Sequence, residues 1–306
     1  MVPKEINVAD TEAYNHSYRS AAPPPPQTLP VQYLAEKLRP RRLVGGYEYR
    51  LELPDLDLAE KILFGGTPRP TDGFRPSTVV APQFIIGADN RIRLATPGVY
   101  PGSAFAHLSQ TCTATMIGPS TALCAAHCFY NQNGWIQSQS IAFGADTVPP
   151  GPGAPFGSSL ADSVTLPGAW NGTDWDWDFA VLDFGTSSLG RSTGWFGTEP
   201  NDGSSAPTDS QTIIGYPVDK PVPSSWLKVG SYTAASGARY EHNIAVVPGD
   251  SGACAYNVHG RCTGIQSTQW CCGADPSNPA RIWNEVRRWD STTYNFFHAH
   301  SNWPAQ

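Results

Sequence analysis

Beyond about residue 80 the chain is broken into short apolar or alternating runs, separated by clusters of Gly, Pro, Asn and Asp. This punctuation limits what it can fold into. Phe84-Ile85-Ile86, Thr113-Ala114-Thr115-Met116-Ile117, Phe179-Ala180-Val181-Leu182, Thr212-Ile213-Ile214 and Cys262-Thr263-Gly264-Ile265 are too short for helices and read as strands. Many short strands between turn residues predict an all-β barrel or sandwich. One helical pattern stands out over residues 279–289, with Pro279 near its start and Ile282, Val286 and Trp289 at i, i+4 and i+7. A shorter helix is predicted over residues 32–38, stopped by Pro40. The chain has no internal repeat.

Composition divides the 306 residues in two. The first 80 carry 10 Lys+Arg, 10 Asp+Glu and 11 of the 29 prolines, and neither Trp nor Cys. The other 226 hold all ten Trp, all seven Cys and the whole net charge of −6, with only 26 charged residues. The first part can bury little core of its own, and its Pro23–Pro26 run reads as a polyproline II spacer. Residues 1–83 are therefore expected to be a propeptide-like polar leader before an apolar body.

A mildly acidic chain lacks the basic face of a nucleic-acid binder, and no run approaches the eighteen apolar residues of a membrane helix. Seven Cys beside five Lys in the whole chain point outside the cytoplasm. The expected localisation is secreted, although Met1-Val2-Pro3-Lys4-Glu5 opens no apolar signal core; a signal is expected to have been removed. The odd cysteine count leaves at least one free thiol.

Three local motifs supply the parts of a nucleophilic hydrolase, namely a hydroxyl, a base and a carboxylate that orients the base. Leu123-Cys124-Ala125-Ala126-His127-Cys128 places a histidine after small residues that let a strand run close to a site. Cys112 lies sixteen residues before Cys128, well placed to bridge to it and fix the histidine loop. In Asp178-Phe179-Ala180-Val181-Leu182 an acid precedes an apolar strand, so its carboxylate can be semi-buried against an imidazole. In Pro248-Gly249-Asp250-Ser251-Gly252 the glycines allow a tight turn whose Gly249 and Ser251 N–H groups can face a developing oxyanion. Each motif alone is ordinary loop chemistry. In the order His, Asp, Ser, separated by 51 and 73 residues, they point to one site.

These motifs resemble the triad of chymotrypsin-like serine proteases. The resemblance covers roughly residues 84–290 and implies an all-β fold of two six-stranded antiparallel β-barrels with a C-terminal helix, after the leader. His and Asp would lie in a barrel over 84–190, and Ser and the helix in 191–306. It makes His127 the general base, Asp178 its orienting carboxylate and Ser251 the nucleophile, with Gly249 and Ser251 forming the oxyanion hole. The implied partners are protein or peptide substrates of a secreted, monomeric endopeptidase with no cofactor. Residues 85–91, followed by Thr96, Tyr100 and Pro101, and residues 214–221, followed by Trp226, resemble the glutamyl-endopeptidase branch. The resemblance places the substrate pocket at Ala245, Val246, Gln266, Ser267 and Thr268, with His242 close by in sequence. Ala245 stands where trypsin-like members carry an Asp, which argues against cleavage after basic residues. Gln266 stands where the glutamyl branch has a His, so both an acidic and a neutral or small P1 residue stay open. The alternative to an enzyme is a catalytically silent binding module of the same fold. Such relatives usually lose His, Asp or Ser, and all three are present.

The family's leader is cut so that a new N-terminus organises the pocket. Residues 83–85 suit that junction, with Arg42 as an earlier processing cut, and Asp250 would either pair with the new amine or complete its turn. Cys254 and Cys262 flank a hairpin and could bridge it, while Cys124 is expected to be a buried free thiol. Adjacent Cys271 and Cys272 cannot easily bond each other. No metal is expected. The acidic run at residues 174–178 lacks the Gly and Glu of a calcium loop, and Cys124, His127 and Cys128 have no second ligand pair at zinc spacing.

Overall fold

The computed structural model describes residues 41–44, 47–50, 91–136, 139–149, 151–270 and 283–301. The helix expected over residues 32–38, the polyproline run, the strand at residues 84–86, the junction at 83–85 and Cys271-Cys272 lie outside the described residues.

The architecture is mostly β, in two large sheets that match the two-barrel expectation. The first runs, neighbour to neighbour, through Tyr47–Arg50, Arg41–Val44, Ser163–Leu166, Ala180–Asp183, Thr121–Cys124, Cys112–Met116, Phe105–Leu108 and Ile141–Phe143. Arg41–Val44, from the leader stretch, thus pairs antiparallel with Ser163–Leu166, and Arg42 Nε donates to Thr165 Oγ1 at 3.1 Å. The second sheet runs through Tyr232–Ser236, Arg239–His242, Trp283–Arg288, Arg261–Trp270, Cys254–Tyr256, Gln211–Gly215, Trp226–Gly230 and Ile92–Arg93. Four of the strands read from the sequence are present, at Cys112–Met116, Ala180–Asp183, Gln211–Gly215 and Arg261–Trp270.

Strand Cys112–Met116 is buried at all five positions, although Thr113 and Thr115 alternate with apolar residues. Alternation of that kind normally marks a water-facing side. Here the polar side meets the second sheet: Thr113 Oγ1 donates to the Gly249 carbonyl at 2.7 Å, and Cys254 N donates to Thr115 Oγ1 at 2.9 Å. Both hydroxyls are satisfied across the sheet-to-sheet contact, so their burial carries no desolvation penalty left unmet.

The helix expected over residues 279–289 is corrected. Trp283–Arg288 is a strand, paired antiparallel on one side with Arg239–His242 and on the other with Arg261–Trp270. A strand held on both edges uses its backbone groups in two ladders, and this tertiary demand overrides a weak i, i+4, i+7 pattern. The helix begins later, at Ser291–His300. Asp290 caps it by accepting from Thr293 N at 2.9 Å. Its Phe296 and Phe297 are fully buried, with ring centroids 5.3 and 6.3 Å from Phe179, the residue after Asp178.

Candidate active site

The register of the first sheet brings His127 and Asp178 together. Ala180 pairs with Cys124 in an antiparallel ladder, so the residues just before 180 and just after 124 emerge at the same end. His127 lies in the short 3₁₀ turn Ala126–Cys128, and Asp178 follows another, Trp175–Trp177. Asp178 is fully buried. Its Oδ1 accepts from His127 N at 2.8 Å, and its Oδ2 lies 2.8 Å from His127 Nδ1. Ser267 Oγ donates to the same Oδ2 at 2.5 Å. Three donors around one carboxylate fix the imidazole plane and hold the proton on Nδ1, which leaves Nε2 as an acceptor. Trp175 packs edge-on against the imidazole, centroids 5.6 Å apart.

The Ser251 turn reaches this pair from the second sheet. Thr113 N donates to the Ser251 carbonyl at 2.8 Å, and Cys128, the residue after His127, brings its sulfur within 3.9 Å of the same oxygen. Gly249 has φ +101°, and a Cβ there would lie 2.3 Å from the Tyr216 carbonyl oxygen, so only glycine fits. Neither Gly249 N–H nor Ser251 N–H makes a hydrogen bond among the described residues. Ser251 Oγ makes no hydrogen bond to His127 among them either. Sites without substrate commonly hold this contact long and tighten it on binding.

The other positions from the sequence lie beside the turn. Gly252 N donates to the Gln266 carbonyl at 2.7 Å and Gln266 N to that of Ala253 at 2.8 Å, which sets residues 266–268 against the serine segment. Val246 is buried and Ala245 half-buried in the loop leading to Gly249. Ser267 turns its hydroxyl to Asp178, and Thr268 Oγ1 donates to Glu285 Oε2 at 3.3 Å.

Gln266 and His242 form a neutral relay. Ile244 N donates to His242 Nδ1 at 3.2 Å, so the ring proton sits on Nε2 and is given to Gln266 Oε1 at 2.9 Å. That fixes the Gln266 amide, whose nitrogen donates to the Thr268 carbonyl at 3.2 Å. Burial pulls the His242 pKa from 6.5 down to about 4, against the pull of the Gln266 hydrogen bond. The unfolded chain therefore takes up this proton at a higher pH than the folded one. Stability should fall as pH drops from 6.5 towards 4, by about 3 kcal/mol from this group. Denaturant unfolding of the parent and of His242→Gln across that window should show a flatter profile for the variant; parallel profiles would contradict the assignment.

Cys112 and Cys128 form a disulfide, as do Cys254 and Cys262, while Cys124 is a buried free thiol donating to the Thr113 carbonyl at 3.2 Å. The sulfurs of Cys112 and Cys128 lie within 4.8 Å of a His127 ring nitrogen, but they are bonded to each other and offer no thiolate to a metal.

Sequence comparison places this fold in a known class. The Trypsin family profile matches residues 90–289, and the chain belongs to that family. It is similar to the glutamyl endopeptidase of Bacillus licheniformis, 29% identical over 216 residues and 66% of each chain. It is also similar to a protein named extracellular metalloprotease from Bacillus subtilis, 27% identical over 177 residues and 54% of each chain. The chain thus spans 66% and 54% of the lengths of these two relatives. Among solved structures, a Glu endopeptidase in complex with MPD shares the fold with TM-score 0.59 and 23% identity, over 70% of this chain and 97% of that one. Protease Anisep from Arthrobacter nicotinovorans does so with TM-score 0.50 and 19% identity, over 64% and 93%.

Proposed function

We propose that the protein is a secreted serine endopeptidase working through an acyl-enzyme, with Ser251 as nucleophile, His127 as general base and Asp178 as its orienting group. The observation that carries this reading is the His127–Asp178 pair, held by two hydrogen bonds beside a Ser251 turn with two unengaged N–H groups. Ser251 Oγ attacks the scissile carbonyl carbon and gives its proton to His127 Nε2. The Gly249 and Ser251 N–H groups receive the oxyanion. Collapse expels the amine, which takes the proton back from His127, and a water molecule then repeats the sequence on the ester. Because the imidazole must be neutral to accept the proton, the rate falls on the acid side.

The proposed P1 preference is acidic. The 29% identical relative named glutamyl endopeptidase supports it. The cation nearest in the network, Arg239, is engaged by Glu285 and by Asp176 at 2.9 Å. The P1 carboxylate would accordingly be hydrogen-bonded and not ion-paired.

A fluorophosphonate probe should label the active protein and leave Ser251→Ala unlabelled. The same preparation given a peptide library should cut after Glu ahead of Lys or Leu. Labelling of Ser251→Ala equal to the parent would sink the mechanism, and cuts confined to basic or apolar residues would sink the preference.

A further inference from the structure

Lys228 and Asp250 form an ion pair that is wholly enclosed, each 0% exposed. Lys228 sits in the strand Trp226–Gly230, its backbone fixed opposite Ile213. Its Nζ reaches Asp250 Oδ1 directly. The other carboxylate oxygen accepts from Val247 N at 3.0 Å, and the backbone of Asp250 closes the same turn, with Asp250 N donating to the Val247 carbonyl at 3.1 Å and Ala253 N to the Asp250 carbonyl at 3.0 Å. Space for this arrangement comes from Gly215, where a Cβ would lie 2.4 Å from Asp250 Oδ1. Burial pulls the Lys228 ammonium down and pushes the Asp250 carboxyl up, each shift opposed by the partner's charge. Nearby, Arg91 and Asp219 are paired with each other at 2.8 Å.

Asp250 lies between Gly249 and Ser251, the two residues whose N–H groups make no hydrogen bond among the described residues. Anchoring its side chain to a strand of the sheet therefore fixes the direction of both donors. Each carboxylate oxygen already has a donor, and Asp250 is sealed from solvent.

We propose that Lys228 is the positioning residue of the oxyanion hole, an internal cation that makes the organisation of the Gly249–Ser251 turn independent of any newly cut N-terminal amine. This rests on the serine endopeptidase reading above. Of the two roles expected of Asp250 from the sequence, completing the turn is kept, and an internal lysine stands in for the freed amine.

The test has two arms on the active, purified protein, with fluorophosphonate labelling of the parent as reference. In the first, the α-amine is blocked or the N-terminus extended by two residues. The expected kcat/KM stays within about twofold of the parent, whereas a drop on the order of 10²-fold, the size of a lost oxyanion donor, overturns the proposal. In the second, Lys228→Met should lose on the order of 10²-fold in kcat and in labelling rate, with KM changed by no more than about threefold. Lys228→Arg, which keeps the cation, should recover most of that loss. A folded Lys228→Met that labels as fast as the parent overturns the proposal while leaving the serine mechanism standing; a parent that does not label overturns the mechanism itself. If Lys228→Met does not fold, the α-amine arm decides alone.

Discussion

Asp178→Asn should lower kcat at neutral pH by about 10⁴-fold while leaving a folded protein. The carboxylate serves three donors at once: His127 N, His127 Nδ1 and Ser267 Oγ. An asparagine offers one acceptor oxygen and an NH₂ group in its place. If the oxygen keeps His127 N, the NH₂ faces Nδ1, which must then become an acceptor. The ring proton moves to Nε2, and Nε2 can no longer take the proton of Ser251. If the oxygen turns to Nδ1 instead, the NH₂ meets the His127 N–H, donor against donor, in a fully buried place. Steady-state kinetics on the purified variant, with circular dichroism to verify folding, would measure the effect. A fall of less than about tenfold would show that Asp178 does not set the tautomer.

Arg287→Met should destabilise the fold by about 3–5 kcal/mol, the usual consequence of removing one member of a buried ion pair. Arg287 is 2% exposed. Its Nε donates to the Asp176 carbonyl at 2.6 Å, and Nη1 donates to the carbonyls of Ala238 and Arg288 at 3.1 and 2.7 Å. Both Nη atoms bond Asp290, at 2.8 and 3.2 Å, and the guanidinium lies 5.3 Å from the Phe179 ring centroid. One side chain thus ties the turn before Asp178 to the second sheet and to the capping residue of the last helix. Methionine fills much of the volume but takes this donor from the carbonyls of Asp176, Ala238 and Arg288, and removes the charge paired with the buried Asp290 carboxylate, which keeps Thr293 N. Thermal unfolding should show a drop in Tm of roughly 10 °C.

The same pair gives a pH signature. Burial raises the Asp290 pKa, but the Arg287 charge and hydrogen bonds outweigh it, so the net shift is downward. A depressed carboxylate stabilises the fold at pH above its unfolded value, and that contribution is lost as pH falls through the folded one. Arg287→Met should lose this acid-side dependence along with the stability; a mutant with the parent's stability at neutral pH would refute the clamp.

Much of the site is legible in the sequence because its chemistry is local. Gly249, Asp250, Ser251 and Gly252 make their turn within a few residues, and a histidine after Ala125-Ala126 carries its meaning in its own neighbourhood. The partners around them carry no such mark. Ser267 is 89 residues from Asp178, and its pattern suggests pocket lining; its hydroxyl is turned to Asp178. Thr113 reads as the polar side of a strand, yet it holds the Gly249 carbonyl. Lys228, one of five lysines, belongs to no motif at all.

The strand Trp283–Arg288 teaches the same point from the other side. Its helical spacing is real in the sequence, but two neighbouring strands claim its backbone hydrogen bonds. The start of the true helix is marked by Asp290, one residue beyond the expected end, where a capping carboxylate outweighs a faint periodicity.

By itself the sequence determined a mostly β body and supplied the three motifs proposed to share one site, because turn residues and short apolar runs act over a few positions. Only the tertiary structure decided that Asp178 has a third donor, that Asp250 is held by an internal lysine, and that residues 283–288 extend into a sheet. Those outcomes depend on strand register and burial, which join residues far apart in the chain and set the hydrogen-bond partners and charges that each one meets.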